Sequence, residues 1–254
     1  MHRPQPFGQR IREATRPLIG TWAKFPSLET IEILGDAGFD FVVIDQEHAP
    51  LDLQTVYGMA VVAQACGLTT LVRVPDTSGS HIQRLLDAGI DGLLVPHVRS
   101  ADDAALQVSR MTFPPAGVRG MGLTGRTGAW GGSSPAAYVA TGDEVFRAVQ
   151  LEDWEALEDG EAIVGTPGLS GAFIGMGDLR LGRGLRGPDS ELDALVARVV
   201  GFARDRGVPA GTAVGSPEEF RQAAAAGYSF VMVSNDGGML RTQATRIVRE
   251  SIGN

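Results

Sequence analysis

The chain has 254 residues, 43% of them hydrophobic and 20% charged, enough to bury a sizeable core and suited in length to two small domains or one α/β barrel. A formal net charge of -8 and a pI near 5.0 exclude nucleic acid or an anionic membrane surface as the main partner, since both demand a basic face. A single cysteine, Cys66, permits no internal disulfide, the N-terminus lacks signal-peptide order, and no apolar run approaches the ~18 residues of a bilayer span, so the expectation is a soluble cytoplasmic protein.

Residues 1–16 read as an N-terminal helix or extension. Beyond them, short β-branched runs at 18–22, 39–45, 69–74, 92–96, 145–151, 171–174, 209–213 and 230–234 predict strands. Helical periodicity falls between them, at 28–37, 53–66, 81–88, 101–111, 191–206, 217–226 and 238–252. Three helices stop at Ala37-Gly38, Ala88-Gly89 and Ala226-Gly227, where glycine supplies the left-handed turn back into a strand. The repetition predicts a single-domain (β/α)8 TIM barrel rather than an open doubly wound sheet. Two stretches break the rhythm: 117–134, glycine-rich with Arg119, Arg126 and Trp130, and 180–188, with Arg180, Arg183 and Arg186. Both read as functional loops.

Barrel chemistry sits where strands end, so polar residues that close an apolar run are the candidates. The second strand ends in Asp45-Gln46-Glu47-His48, the third in Arg73, the fifth in Gln150-Leu151-Glu152, and the sixth runs into Gly175-Met176-Gly177-Asp178. Glu152 and Asp178, on successive strands, either ligate one hard cation through oxygen or cap the helices that follow them. Arg73 offers a planar fork to a carboxylate or enolate oxygen, or pairs with Asp45 or Glu47. His48 beside Asp45 is the acid/base candidate, whereas His81 and His97 read as structural and His2 as part of the terminus. Amides after Gly175 are free to hold an anion.

Other chemistries lack their parts. No Gly-Lys-Ser/Thr closes the 117–134 loop, no Gly-x-Gly-x-x-Gly follows the first strand, and no Gly-x-Ser-x-Gly elbow occurs. Cys66 lies on a helix without a thiolate-stabilising neighbour. All but one of the 22 basic residues are arginine, which leaves imine chemistry a single candidate, Lys24.

Several segments together resemble the HpcH/HpaI aldolase family, the metal-dependent pyruvate aldolases: Ala37-Gly38-Phe39-Asp40, Ile44-Asp45-Gln46-Glu47-His48-Ala49-Pro50, Leu71-Val72-Arg73, Leu86-Asp87-Ala88-Gly89, Phe113-Pro114-Pro115-Ala116-Gly117-Val118-Arg119-Gly120 and Phe173-Ile174-Gly175. The resemblance implies a divalent cation (Mg2+, Mn2+ or Co2+) held by Glu152 and Asp178, and a pyruvate-like 2-oxo acid chelating it. Amides of Gly177 and Asp178 would hold the acid's carboxylate, Arg73 would contact its keto oxygen, and Trp22 and Gln150 would line the pocket. His48 paired with Asp45 would transfer protons. It further implies a homohexamer in which Asp87 reaches a neighbouring subunit's site, with the helix in 238–254 at an oligomer interface. The expected reaction is reversible aldol cleavage of a 4-hydroxy-2-oxo acid to a 2-oxo acid and an aldehyde. The alternatives are decarboxylation of an oxaloacetate-like acid, or a non-catalytic barrel that binds 2-oxo acids. Met176, Arg180, Asp153 and Trp154 depart from the family pattern, so the acceptor aldehyde is left open. Arg180, Arg183 or Arg186 either faces an anionic acceptor or is a solvated charge.

Overall fold

A computed structural model describes residues 5–185 and 189–253. Eight parallel strands, β1 (Leu18–Ala23), β2 (Phe41–Asp45), β3 (Thr69–Arg73), β4 (Gly92–Val95), β5 (Phe146–Leu151), β6 (Gly171–Ile174), β7 (Ala210–Val214) and β8 (Phe230–Asn235), pair in sequence order and close into a barrel. Each expected strand is present, within a residue or two at its ends. Helices α1 (Phe7–Glu13), α2 (Leu28–Asp36), α3 (Leu53–Ala65), α4 (Ile82–Asp87), α5 (Ala101–Met111) and α6 (Pro135–Asp143) lie in the first half. The second half carries α7 (Trp154–Glu158), α8 (Gly160–Val164), α9 (Met176–Gly182), α10 (Ser190–Asp205), α11 (Pro217–Ala225) and α12 (Asp236–Ile252). Among the described residues no helix is long and apolar enough to cross a membrane.

Strand alternation divides the buried residues in two. Val42, Ile44, Val72, Val149, Leu151, Ile174 and Val231 point outward into a layer under the helices. Phe41, Val43, Leu71, Phe146, Ala148, Phe173, Phe230 and Met232 fill the interior. At the N-terminal end, Phe41, Phe146 and Phe230 surround Phe7 of α1 in edge-to-face contacts with centroids 4.9 to 5.7 Å from it. The floor of the barrel is therefore a plug of aromatic rings supplied partly by the N-terminal helix. The rings fit because glycines face them: a Cβ at Gly20 would strike Phe41, one at Gly171 Phe146, and one at Gly211 Phe230. With the floor closed, the polar strand ends are confined to the opposite mouth.

Four α-helices were not expected. Residues 135–143 form α6, capped by the Ser134 side chain with Pro135 in its first turn. Two short helices, α7 and α8, occupy 154–164, and the segment after β6, expected to be a turn, is helix α9. All four have nine residues or fewer.

Candidate active site

The register of β2 and β3 sets Asp45 opposite Arg73. Both point inward, and the guanidinium grips the buried carboxylate with two bonds, Nε to Oδ1 at 2.9 Å and Nη2 to Oδ2 at 2.7 Å. The Trp22 ring lies 4.3 Å from the guanidinium carbon and meets Phe173 edge-on, which fixes the plane of the fork. Lys24 Nζ sits 2.8 Å from Asp45 Oδ2, and the backbone N–H groups of Glu47 and His48 donate to Oδ1. Burial pushes the Asp45 pKa up, but the bonds and charge of Arg73, followed by those of Lys24, outweigh it and hold the group at about 2. Asp45 is an anion that organises the mouth.

That arrangement corrects the expected acid/base pair. Both Asp45 oxygens are taken by cations and amides, so His48 gives Asp45 its backbone N–H and not its ring. The imidazole stands 56% exposed at the rim, with Nε2 3.9 Å from Glu47 Oε2. Arg73 makes both expected pairings at once, since its Nη1 lies 2.9 Å from Glu47 Oε2, near enough for charge but outside hydrogen-bond geometry. Lys24, the candidate imine lysine, is committed to Asp45 as an ammonium partner.

Glu152 follows β5 and is buried. It does not cap α7: its Oε1 accepts the His97 backbone N–H at 2.7 Å and faces His97 Nδ1 at 2.9 Å, while its other oxygen takes the Gln150 amide. Burial drives its pKa upward, only partly offset by His97 and Gln150, and the negative Glu47 adds to the rise. His97, expected to be structural, is instead a member of the site. It follows β4 in the left-handed region, φ 56°, which turns its ring across the mouth so that Nε2 reaches Glu47 Oε1 at 2.8 Å. Glu47, His97 and Glu152 thus bring one ligand atom each to within 4.8 Å of one another. Gln150 Oε1, buried beside them, has no donor. A surplus of buried acceptors with a nitrogen among them is the donor set of a cation site.

Asp178 and Gly177 lie in the first turn of α9, both exposed, and neither amide has an acceptor among the described residues. Gly175 brings that turn against Glu152, because a Cβ there would stand 2.7 Å from the Glu152 Cβ. Gly177 by contrast has open space around it. The Asp178 carboxylate caps nothing and makes no ion pair among the described residues. Met176 and Arg180 occupy the opposite face of α9 and line a groove between α10 and α11, away from the face that carries Asp178. Arg183 stacks on Trp154 at 4.5 Å and binds Asp189 and Glu191, a structural role, and Arg186 lies outside the described residues.

Asp87 ends α4, at the opposite end of the barrel from the mouth. It accepts Tyr138 Oη at 2.7 Å and lies 3.5 Å from Arg119. Within 117–134, Arg119 and Arg126 are buried and the Arg119 guanidinium covers the Phe113 ring, while Val118, Met121 and Trp130 are exposed.

With this geometry, the chain matches known proteins along most of its length. The model of the HpcH/HpaI aldolase/citrate lyase family covers residues 18–242. A hydroxypyruvate/pyruvate aldolase of Sagittula stellata is 33% identical over 240 residues, 94% of each chain. A 5-keto-4-deoxy-D-glucarate aldolase of Klebsiella pneumoniae is 32% identical over 90% of each. The crystal structure of an HpcH/HpaI aldolase/citrate lyase family protein from Burkholderia cenocepacia superposes with a TM-score of 0.89 at 32% identity, covering 97% of this chain and 98% of that one. The chain belongs to the HpcH/HpaI aldolase/citrate lyase family, and with it to the enzymes that make and break carbon–carbon bonds.

Proposed function

We propose that the mouth binds a divalent cation and a 2-oxo acid, pyruvate or a close relative, and that the enzyme joins this donor reversibly to an aldehyde. The observation that carries the reading is the excess of buried acceptors around Glu152 next to the Arg73 fork. Glu152 is held with its pKa raised and Gln150 Oε1 has no donor, so the residues present fit a cation. Mg2+, Mn2+ and Co2+ all suit a carboxylate-rich set, and in this reading Glu152 and Asp178 are its ligands. Once bound, such an ion draws electron density from a chelated 2-oxo acid and acidifies the C–H bonds beside its carbonyl.

The chain's own groups do the rest. Amides of Gly177 and Asp178 hold the acid's carboxylate, and Trp22 and Gln150 wall the donor pocket. Arg73, already oriented by Asp45 and Trp22, keeps positive charge beside the oxygen on which negative charge develops. In cleavage, His48 takes the proton from the 4-hydroxyl, the C3–C4 bond breaks, and the aldehyde leaves. The electron pair stays on C3, which then takes up a proton to give the methyl group of pyruvate. His48 is exposed at the rim, where an acceptor enters.

In the same reading the protein works in the cytoplasm as a homohexamer. Helix α12 buries only Asp236, while Leu240, Ile247, Val248 and Ile252 are exposed, which supports a second copy covering this helix; in the hexamer of this reading Asp87 reaches a neighbour's site. Incubation with pyruvate, a panel of aldehydes and Mn2+ tests the activity. A 4-hydroxy-2-oxo acid is expected, lost on chelation and restored by metal. No metal-dependent product across the panel would count against the reading.

A further inference from the structure

Lys24 is the only lysine of a chain that uses arginine at every other basic position. An ammonium is a compact charge with three donors that can turn, where a guanidinium is a broad, fixed fork. The backbone holds this residue firmly: Asp236 Oδ2 accepts the N–H groups of Lys24 and Phe25, each at 2.8 Å, and Asp236 is itself buried. From that turn the side chain bends inward over the mouth and sets Nζ 2.8 Å from Asp45 Oδ2.

Asp45 is satisfied without this contact. A carboxylate offers about four lone-pair positions. Asp45 already receives Arg73 Nε, Arg73 Nη2 and the backbone N–H groups of Glu47 and His48, so the ammonium is a supernumerary donor. Arg73 also outweighs Lys24 in keeping Asp45 ionised. Lys24 in turn spends one N–H on Asp45, and among the described residues no other acceptor takes the remaining two. Its side chain is 29% exposed, which opens those donors to whatever enters the mouth. Height sets them on the acceptor side: Lys24 lies two residues beyond Trp22, about 6–7 Å further toward solvent than the ring that walls the donor pocket. Of the arginines considered for an anionic acceptor, Arg180 turns to the α10–α11 groove and Arg183 is bound by Asp189 and Glu191.

We infer that Lys24 selects the acceptor: its ammonium donates to an oxygen on the carbon next to the aldehyde group, so that hydroxy- and carboxy-aldehydes are taken in preference to alkyl ones. The inference rests on the reading that the mouth joins a 2-oxo acid to an aldehyde. Lys24 binds as an ammonium and forms no covalent bond, and His48 keeps the proton transfer at the 4-hydroxyl. A site that holds a substrate oxygen by a hydrogen bond rejects the analogue lacking it, because its own donor is then left without a partner. A charged donor makes that bond stronger than a neutral one and adds attraction for a carboxylate.

The test is steady-state kinetics of the full chain with Mn2+, saturating pyruvate and three aldehydes. Glycolaldehyde and propanal match in size and exchange a hydroxyl for a methyl, and glyoxylate carries a carboxylate. Wild type should show kcat/KM for glycolaldehyde at least about tenfold above that for propanal, with glyoxylate also above propanal. Lys24→Met removes the donors and keeps the length of the side chain. Its preference for glycolaldehyde over propanal should fall to within about threefold, through a raised KM for the oxygenated aldehydes and little change in the KM of pyruvate. A role confined to bracing Asp45 and Arg73 would lower turnover with all three aldehydes alike and raise the KM of pyruvate, and that result overturns the inference. So does a wild type indifferent between glycolaldehyde and propanal, or a Lys24→Met that keeps the preference. Absence of product from every aldehyde overturns the aldol reading itself. If Lys24→Met does not fold, Lys24→Arg, which keeps positive charge on Asp45, takes its place: the broader fork should cut the preference at least about threefold, and an unchanged ratio overturns the inference.

Discussion

Asp45 shows how one side chain sets the geometry of a whole mouth. It is fully buried, and its two oxygens lock Arg73, Lys24 and the turn that carries Glu47 and His48. Its pKa, ordinarily 3.8, stands at about 2, so its ionisation stabilises the fold above pH 4 and that contribution is lost as pH falls toward 2. The stability gap between wild type and Asp45→Asn in urea melts should be constant above pH 4 and shrink by about 2 kcal/mol by pH 2. A gap that stays flat argues against the ion pair. Glu152 has the opposite sign. Its raised pKa means that the metal-free fold loses stability as pH rises through 4.5, so Glu152→Gln should melt higher than wild type at neutral pH, equal it in acid, and bind no metal. Arg73→Lys keeps the charge but not the fork, and turnover is expected to drop by about 10²–10³ with metal still bound. Unchanged turnover would remove Arg73 from the chemistry.

At the scale of elements, the barrel floor depends on α1 and on glycines placed opposite rings. Phe7 is fully buried among Phe41, Phe146 and Phe230, and Phe7→Ala should cost about 3–5 kcal/mol while leaving the mouth residues in place. Gly211→Ala pushes a methyl into the Phe230 ring and should cost about 1–3 kcal/mol, recovered in part by Phe230→Leu. Thermal melts of the single and double variants check the coupling, and additive losses would contradict the packing. Helix α9 carries a different lesson. It turns Met176 and Arg180 to the α10–α11 groove and Asp178 to the other face, so two departures from the family pattern do not bear on the Asp178 face.

For the whole molecule, α12 is the element least explained by one chain. Seventeen residues long, it buries only its first residue, whose carboxylate accepts the backbone N–H groups of Lys24 and Phe25. Replacing Ile247 and Val248 together by Asp should reduce the mass measured by light scattering, with the circular dichroism of the barrel retained. An unchanged mass would place the interface elsewhere.

The strand rhythm, the alanine-glycine stops and the polar strand ends were legible in the sequence because each is a local signal: period two, a left-handed glycine, a break in hydrophobicity. They sufficed for a closed eight-stranded barrel and for a mouth containing Asp45, Arg73, Gln150 and Glu152. Three things needed the tertiary structure. The partner of Asp45 proved to be Arg73, 28 residues away, because strand register and not proximity in sequence decides which side chains meet. His97 looks like any isolated histidine in a string of letters, and only closure of the barrel, with a left-handed backbone at that residue, carries its ring between Glu47 and Glu152. The faces of α9 were likewise hidden, since its orientation follows from burial of Leu179 in the core under the helices. Composition and periodicity determine which residues arrive at the mouth. Register and closure decide which of them touch, because those contacts join residues that no local pattern links.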